Sequence, residues 1–316
     1  MKIVIVGPGA MGCLFAGLLV EVGLHDVWLL DKREIRAREI SKYGITIEGI
    51  GEKRIICGEG SSAPLNVTIN PDDIKKADLI IIWVKSYDTA DAAHSIAQNV
   101  GNKTIVLTLQ NGLNNVETLS EILGEGRIIA GITSHGATML DVGHIRHAGI
   151  GDTVIGEIDG TISDRVESVA DILKTAKIKT SVSENIYGSI WGKLIINAAI
   201  NPITAITKLS NGELLENWET RSLLRLSTEE SACVASASNV TLPYDDPIFA
   251  VESTCRATSL NVSSMLQDVL KGRRTEIDAI NGAIVNEGRK NGIKTPINES
   301  LTYLVKGLES SRRTNS

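Results

Sequence analysis

The chain has 316 residues, 42% of them apolar, which is enough to build the cores of about two domains. Its net charge of −6 gives no basic surface for nucleic acid or an anionic membrane. No run reaches about 18 uncharged apolar residues, and the start MKIVIVG leads into a strand rather than a signal peptide. We expect a cytoplasmic protein that acts on a small molecule. The cysteines lack metal-ligand or disulfide-framework spacing, so we expect reduced thiols and no metal: Cys13, Cys57, Cys233 and Cys255.

Short β-type runs alternate with helical patterns in the first half of the chain. The runs lie at Lys2–Val6, 27–30, 79–84, 104–109 and 128–132. Such alternation is typical of a parallel sheet with helices on both faces. Residues 45–69 are Gly-rich and polar, which predicts an irregular insertion or a small antiparallel excursion. Two short runs within 144–158, a helix at 165–176 and a run at 178–182 complete a first domain that is expected to end at residue 183.

Helical periodicity replaces the β-type runs after residue 183. Apolar residues recur at intervals of three and four in the segments 190–200, 223–237, 265–270 and 277–285. The sequence therefore predicts an α/β protein with a doubly wound domain at 1–183, followed by an all-α domain at 184–316. The apolar helices of the second domain also allow a homodimer, and the polar terminus ESSRRTNS is expected to be disordered.

A glycine-rich GxGxxG motif follows the first predicted strand directly. Its members are Gly7, Pro8, Gly9, Ala10, Met11 and Gly12. Gly7 permits a tight turn, Gly9 lets the backbone approach a pyrophosphate, and Gly12 lets the next helix pack closely on the strand. The amides and the positive end of that helix attract phosphates. The motif predicts a Rossmann-type dinucleotide-binding domain, with an ordinary glycine-rich turn as the structural alternative.

The second predicted strand ends at Asp31, about 20 residues beyond the glycines. An acidic residue there pairs with the ribose 2′-hydroxyl of NAD, so Asp31 favours NAD. Lys32 and Arg33 follow immediately and could hold the 2′-phosphate of NADP instead, with Asp31 turned away. The residues leave the choice between the two cofactors open, and solvated loop charges are the structural alternative for all three.

Polar residues follow several of the other predicted strands. Ligands bind at the carboxyl ends of the strands in an open parallel sheet, which makes Lys85 and Asn111 candidate contacts for cofactor or substrate. A solvated lysine and a turn with Gly112 in left-handed geometry are the alternatives. His135 lies in the segment 133–137, which could flank the nicotinamide. A packed histidine is the more usual role at such a position than a catalyst.

The segment 187–202 is apolar and helical but carries Lys193, Asn197 and Asn201. Their spacing of four places them on one face of the helix. Because unpaired burial of these groups would cost several kcal/mol, they either face solvent or converge on a polar ligand. Pro202 lacks an amide donor and clashes with the preceding turn, so it should kink or end the helix near Asn201.

A second polar group of residues lies between 261 and 278. Ser263 and Ser264 precede an apolar run and are candidate helix caps. Gly272 should end that helix. Thr275 could cap the next one, which would put Glu276 in its first turn, where the helix dipole stabilises a carboxylate.

Taken together, these motifs resemble the ketopantoate reductase family, and the resemblance spans nearly the whole chain. It is carried by GPGAMG, VKSYDT, QNGL, WGKLIINAAINPITAI, NGEL and SSMLQDVLKGRRTEIDAINGAIV. The resemblance implies NAD(P)H-dependent reduction of ketopantoate to pantoate, a step of pantothenate and coenzyme A biosynthesis. The family usually uses NADPH, and Asp31 departs from its basic strand end, so NADP(H) is implied by resemblance while NAD(H) stays possible.

The resemblance also implies roles for single residues. Lys193 is the implied proton donor. Glu276 is implied both to take part in catalysis and to contact the cofactor. The implied substrate contacts are Lys193, Asn197, Asn201, Asn211, Asn261, Ser263 and Ser264. The other cofactor contacts that the resemblance implies are Lys85, Asn111 and Ala137. The glycine motif, Asp31 and Lys32 are cofactor candidates from their own positions in the sequence.

Lys193 must be protonated before it can donate. A nearby Glu276 favours the ammonium form whereas burial opposes it, so their balance should set the pH profile.

Two other functions stay open. A paralogous reductase would use another 2-oxo acid with the same residues, and a sensor would bind NAD(P) without turnover. Lys193, Asn197, Ser264 and Glu276 weigh against the sensor, which needs no proton donor.

Overall fold

The computed structural model describes residues 1–57 and 65–313. It divides the chain into two compact units. Unit 1 comprises Met1–Gln110 and Asn115–Ile186, and unit 2 comprises Asn111–Asn114 together with the chain from Tyr187 onward. The sequence placed the boundary at 183 and did not predict that four residues from the first half belong to unit 2.

Unit 1 is built on an eight-stranded sheet with the order β12-β11-β8-β7-β6-β1-β2-β5. All neighbours in it are parallel except β11, which runs antiparallel to β8. The predicted doubly wound α/β unit is confirmed. The strands of unit 1 are β1 Lys2–Val6, β2 Asp26–Leu30, β3 Ile45–Gly49, β4 Arg54–Ile56, β5 Leu65–Thr68, β6 Ala77–Ile82, β7 Val100–Thr108, β8 Ile128–Thr133, β9 Gly136–Asp141, β10 His144–Gly149, β11 Thr153–Gly156 and β12 Thr180–Val182, and its helices are α1 Ala10–Val22, α2 Glu34–Tyr43, α3 Thr89–Ile96, α4 Asn115–Leu123 and α5 Asp164–Thr175.

The two faces of this sheet belong to two different cores. Alternate residues of β1 point to opposite faces, so Ile3 and Ile5 pack in one core and Val4 and Val6 in the other. The first core is covered by α1 and α5, and the second by α3 and α4. Burial on both faces explains why the central strands are continuously apolar rather than alternating.

A second, four-stranded sheet has the order β4-β3-β10-β9 and contacts α1. Its strands β3 and β4 form the antiparallel excursion that was expected within 45–69. The rest of that segment differs, because β5 is a parallel edge strand of the large sheet. Residues 58–64 of the segment lie outside the described residues. Strand β9 was not predicted.

The described part of unit 2 contains helices and no strand, as the sequence predicts. Its helices are α6 Ile186–Thr207, α7 Trp218–Ala237, α8 Pro247–Ala257, α9 Ser264–Leu270, α10 Asn281–Lys290 and α11 Pro296–Arg313. Because α11 continues to Arg313, the expectation of a disordered terminus is wrong for residues 309–313; residues 314–316 lie outside the described part. Along the described ranges, no helix has both the length and the apolar character that crossing a membrane requires.

Helix α6 does not end at Asn201 but runs through Pro202 for another turn. Pro202 has no N–H to donate to the carbonyl of Ala198, four residues earlier. Asn281 Nδ2 donates to that carbonyl at 2.9 Å, and Ser227 Oγ lies 3.3 Å from it. Of the two outcomes predicted for Pro202, an end of the helix is therefore excluded, because tertiary donors replace the missing one.

Candidate active site

The turn between β1 and α1 has the geometry that the glycine motif predicts. Gly7 has φ +98°, and a Cβ on Gly12 would lie 2.2 Å from the Gly7 carbonyl oxygen. A Cβ on Gly9 would meet nothing within 4 Å. Gly9 is the N-cap of α1, whose first turn carries no acidic residue. The turn is therefore closed on its protein side, open at Gly9, and free of negative charge that would oppose a phosphate.

Asp31 follows β2 directly, and its carboxylate is occupied within the protein. Its side chain is only 1% exposed and pairs with Arg36 through both oxygens, the Nη2–Oδ1 distance being 2.5 Å. The backbone N–H of Arg33 donates to the same Oδ1 at 3.1 Å. Lys32 is well exposed and pairs with Asp88 at 2.8 Å. Arg36, in the first turns of α2, was not recognised from the sequence.

Lys85 is half-buried in the loop that follows β6. A buried amide fixes this loop to the end of β7, because Gln110 Nε2 donates to the carbonyl of Val84 and to the hydroxyl of Thr89, both at 2.8 Å. Thr89 donates in turn to Asn115 Oδ1 at 3.0 Å. Gln110 precedes the predicted Asn111 in the QNGL motif, so the motif already contained the residue that makes these hydrogen bonds.

His135 and Ala137 lie at the second, smaller sheet. His135 is buried and stacks on His147, with Nδ1 and Nε2 of the two rings 3.2 Å apart. Burial lowers the pKa of both rings, and His147 lowers that of His135 further. Ala137 pairs with His147 across β9 and β10. His135 is thus a packed histidine, as expected, and the cofactor contact of Ala137 stays a prediction.

Asn111 opens the short segment that belongs to unit 2. The next residue, Gly112, has φ +89°, and a Cβ there would lie 2.6 Å from the carbonyl oxygen of Ala279. Leu113 donates its N–H to that same oxygen at 3.1 Å. The left-handed Gly112 predicted as the structural alternative is present, and Gly112 and Leu113 hold this short segment against Ala279, three residues after Glu276.

Helix α6 carries Lys193, Asn197 and Asn201 on one face, as their spacing predicts. Lys193 and Asn197 are half-buried and Asn201 is buried. Tyr244 Oη donates to the carbonyl of Gly192 at 2.9 Å, and a Cβ on Gly192 would lie 2.8 Å from Pro243. The backbone beside Lys193 is therefore held closely by a segment that the sequence did not single out.

Two opposing effects set the pKa of Lys193. Burial lowers its pKa from 10.5 to about 8, while the carboxylate of Glu276 acts in the opposite direction. Glu276 is itself buried. The expectation that it lies in the first turn of a helix capped by Thr275 is wrong, because α10 begins at Asn281. Thr275 instead accepts the N–H of Ile277 at 3.3 Å within a turn.

Asn211 has one atom without a partner. Its Nδ2 donates to the hydroxyl of Thr258 at 2.8 Å, and that hydroxyl donates onward to the carbonyl of Thr254 at 2.7 Å. Because the hydroxyl hydrogen is used there, Thr258 can only accept from Asn211, which fixes the orientation of the amide. No donor among the described residues reaches Asn211 Oδ1, although it is buried. Asn211 N also donates to the carbonyl of Asn261, which brings these two predicted residues together.

Ser263 is buried and caps α9, since its Oγ accepts the N–H of Leu266 at 3.1 Å. It also lies 2.6 Å from Thr204 Oγ1, which donates to the carbonyl of Asn201 at 2.8 Å. The hydrogen of Ser263 is therefore directed to Thr204. This chain joins the start of α9 to Asn201, whereas Ser264 is exposed.

Comparison with known proteins identifies the chain. The family model described as ketopantoate reductase PanE/ApbA matches residues 3–160, and its C-terminal counterpart matches residues 185–309. A relative from Pyrococcus horikoshii named 2-dehydropantoate 2-reductase is 39% identical over 311 residues, covering 98% of each chain.

Two solved structures share the whole fold. A PanE/ApbA family ketopantoate reductase from Ralstonia eutropha has a TM-score of 0.89 and 32% identity, covering 99% of this chain and all of its own. A D-mandelate dehydrogenase solved with NADH and anilino(oxo)acetate has a TM-score of 0.90 and 28% identity, covering 98% of this chain and 99% of its own. With both family models and a full-length relative in agreement, the chain belongs to the ketopantoate reductase PanE/ApbA family.

Proposed function

We propose that this protein is a 2-dehydropantoate 2-reductase, which reduces the ketone of ketopantoate to the hydroxyl of pantoate in pantothenate and coenzyme A biosynthesis. The observation that carries the proposal is the setting of Lys193. It is a half-buried ammonium on an apolar helix. Burial lowers its pKa to about 8, and the carboxylate of Glu276 acts against this decrease. A proton donor works best when its pKa lies near the working pH.

The turn at Gly7–Gly12 fits a dinucleotide. Gly9 has room where a ligand would approach, and the amides at the start of α1 would hold the pyrophosphate. Lys85, Asn111, Ala137 and Glu276 are proposed to complete the cofactor contacts. When bound, a reduced nicotinamide supplies the hydride that the carbonyl carbon accepts.

Lys193 supplies the other half of the reduction. Its ammonium stabilises the negative charge that develops on the carbonyl oxygen and then transfers a proton to that oxygen, which leaves a hydroxyl and a neutral amine. Solvent protonates the amine again before the next turnover. At pH 7 a group with a pKa of about 8 is still mostly charged, so Lys193 is ready to donate.

The proposed substrate contacts are polar side chains of unit 2, one of which has an atom without a partner among the described residues. Asn211 Oδ1 can only accept, so it suits a substrate hydroxyl. Asn197 and Asn201, on the same helix face as Lys193, would orient the ketone. Among the residues near the start of α9, the exposed Ser264 and Asn261 are the better carboxylate contacts, because the Ser263 hydroxyl is engaged within the protein.

The decisive test is the oxidation of NADPH and of NADH by ketopantoate, followed at 340 nm. Lys193→Ala should lower kcat by about 100- to 10,000-fold, the contribution of a positioned proton donor. Lys208→Ala removes an exposed lysine just beyond the same helix and should leave kcat unchanged. Normal turnover by Lys193→Ala would refute its role, and tight cofactor binding without turnover of any 2-oxo acid would favour the sensor.

We further propose NADPH as the preferred cofactor. Asp31 gives its carboxylate to Arg36 and to the Arg33 amide, so it is not available to a ribose 2′-hydroxyl. With Asp31 neutralised by Arg36, the exposed Lys32 and Arg33 make this strand end suitable for a 2′-phosphate. Arg36→Leu would release the Asp31 carboxylate and should shift the ratio of kcat/KM for NADPH over NADH at least about tenfold toward NADH. An unchanged ratio would exclude the pair as the determinant.

A second candidate is reduction of another 2-oxo acid, favoured by the close likeness to a D-mandelate dehydrogenase. Comparing kcat/KM for ketopantoate and phenylglyoxylate distinguishes the two candidate substrates. A hydrophobic pocket discriminates between substrates by about 10- to 200-fold for each methylene-sized difference. The homodimer and the cytoplasmic location stay predictions. Light scattering of the purified protein tests the dimer.

A further inference from the structure

The carbonyl of Ala198 is an unusual point in α6. In an ordinary helix it would accept the N–H of residue 202, which is Pro202 here. The carbonyl is buried among apolar residues, so leaving it without a donor would cost about 1–3 kcal/mol. Its main donor is Asn281 Nδ2 in α10, while the Ser227 hydroxyl in α7 lies 3.3 Å from it and 3.2 Å from Asn298 Oδ1 and can donate to only one of the two.

Asn281 is the better of the two donors and its orientation is fully determined. Its Nδ2 donates to the Ala198 carbonyl at 2.9 Å and to Asn298 Oδ1 at 3.0 Å. Asn298 uses its own Nδ2 on Glu230 at 2.9 Å and on the Ser227 carbonyl at 3.2 Å. Both of these groups only accept, so neither amide can flip.

The network is anchored at its far end by Glu230. Its two carboxylate oxygens accept the backbone N–H groups of Ile297 and Asn298 at 2.8 and 2.9 Å, at the start of α11. Asn281, Asn298 and Ser227 are all completely buried. The side chain of Asn281 is therefore held from α7 and α11 while it holds α6.

Asn281 also continues directly from the segment that carries Glu276. The N–H groups of Ala279 and Ile280 both donate to the Glu276 carbonyl, at 3.0 and 3.1 Å, which makes 276–280 a closed turn ending at Asn281. Lys193 lies five residues before Ala198 on α6. One side-chain amide therefore connects the helix of the proton donor to the turn of its carboxylate.

We propose that Asn281 is a positioning residue for proton donation: through the Ala198 carbonyl it fixes α6 against the Glu276 turn and so sets the separation of Lys193 from Glu276. This inference rests on the proposed reductase function. An apolar residue at 281 would fill the space but leave the Ala198 carbonyl without its main donor, and Pro202 prevents the helix from supplying its own.

The test exploits Pro202. Asn281→Ala should lower kcat by about 10- to 100-fold, the size expected for a small misplacement of a catalytic group. Because Glu276 would then act less on the Lys193 ammonium, the alkaline limb of kcat should move to lower pH. Pro202→Ala returns a backbone N–H to the Ala198 carbonyl without restoring the connection to the Glu276 turn, so the double variant should keep the lowered rate and the shifted limb even where its Tm recovers. Thr228→Val is the matched control, since it removes a buried hydroxyl of α7 that bonds only within its own helix, and it should leave both unchanged.

A second readout does not require turnover. The pH titration of the Lys193 side chain by ¹³C NMR, assigned with Lys193→Arg, should give a lower midpoint in Asn281→Ala and the same lowered midpoint in the double variant with Pro202→Ala. Should Asn281→Ala not fold, Ser227→Ala tests the same network, because it removes a hydroxyl shared between the Ala198 carbonyl and Asn298 Oδ1, with an expected loss of about two- to fivefold.

The outcomes separate the two proposals. A wild-type protein that reduces no 2-oxo acid refutes the proposed function, while the NMR titration still decides the role of Asn281. A wild-type protein that turns over, with Asn281→Ala showing an unmoved Lys193 midpoint or full recovery by Pro202→Ala, overturns the inference and leaves Asn281 a stabilising residue only.

Discussion

At the scale of single residues, the sequence could identify the polar groups but not their partners. Asp31 was recognised by its distance from the glycines, whereas its engagement by Arg36 depends on how α2 leaves the strand. Asn211 was known from a motif, whereas its free oxygen follows from the hydroxyl of Thr258, an ordinary threonine in sequence. Side-chain partners of this kind depend on tertiary placement, which no local pattern records.

Glu276 gives a prediction of its own. The ammonium of Lys193 is the active form, so activity should fall as the pH rises through its pKa of about 8. Glu276→Gln removes the negative charge that favours the ammonium, so the pKa drops and the alkaline limb of kcat should move to lower pH. Initial rates between about pH 6 and pH 10 measure the shift. Asp278→Asn, an exposed carboxylate two residues away, should not move the limb, and a fixed limb in Glu276→Gln would contradict the assignment.

The glycine turn offers a matched pair of substitutions. Gly9→Ala adds a methyl group into open space at an N-cap, where alanine costs at most about 1 kcal/mol relative to glycine. It should change the Tm only slightly yet raise the KM for the cofactor at least about tenfold, because the methyl occupies the pyrophosphate approach. Gly12→Ala would collide with the Gly7 carbonyl and should lower the Tm. Equal KM values for wild type and Gly9→Ala would place the pyrophosphate elsewhere.

At the scale of elements, long periodic segments were predicted well and short or polar ones were not. The apolar strands of the large sheet and helices α5, α6 and α7 follow from periodicity alone. Strand β5 carries Asn66 and Thr68, and β9 follows β8 after only two residues, so neither stands out as a run. Two missed helices did carry usable signals. Asp246 caps α8 immediately before Pro247, and α11 buries residues four apart, Leu301 and Val305.

Two helices of unit 2 are joined by a buried carboxylate. Glu252 in α8 accepts a two-pronged bond from Arg221 in α7, both at 2.8 Å, and a third bond from Arg256. The pKa of Glu252 lies below its ordinary 4.5, and the largest cause is its hydrogen bond with Arg221. The stabilisation is therefore complete above about pH 4.5 and is lost as the pH falls through the lower folded-state pKa.

Glu252→Gln should lower the free energy of unfolding at pH 7 by about 1–3 kcal/mol and weaken its dependence on acid. Urea unfolding at pH 7 and near pH 4 measures both effects. Glu229→Gln changes an exposed carboxylate of α7 and should do neither. An equal loss of unfolding free energy at the two pH values would mean that Glu252 stabilises the protein by packing rather than by its charge.

At the scale of the whole molecule, the division into two units cuts across chain order. Leu113 lies in the core of unit 2 with residues of α6 and α10, whereas Leu119, six residues later, lies in a core of unit 1. Sequence periodicity could not detect this, because four residues are too few to form a pattern. Unit 1 has two cores, one on each face of its large sheet, and unit 2 has a separate core.

These two leucines should therefore destabilise different parts of the protein. Leu113→Ala and Leu119→Ala each remove a buried leucine, which costs about 2–5 kcal/mol. Hydrogen exchange followed by mass spectrometry should show faster exchange in the helices beyond residue 187 for Leu113→Ala, and in the strands of the large sheet for Leu119→Ala. If both variants loosen the same peptides, the two cores unfold as one cooperative unit.

The excursion of Asn111–Asn114 into unit 2 also constrains recombination between relatives. A chimera joined at residue 186 would combine the helices of one parent with a Gly112–Leu113 segment that evolved to fit the helices of the other. The Gly112 backbone sits against Ala279 too closely to tolerate a Cβ, so even small differences there would matter. Substrate specificity exchanged between family members should therefore transfer intact only when the tetrapeptide travels with the helices that it completes.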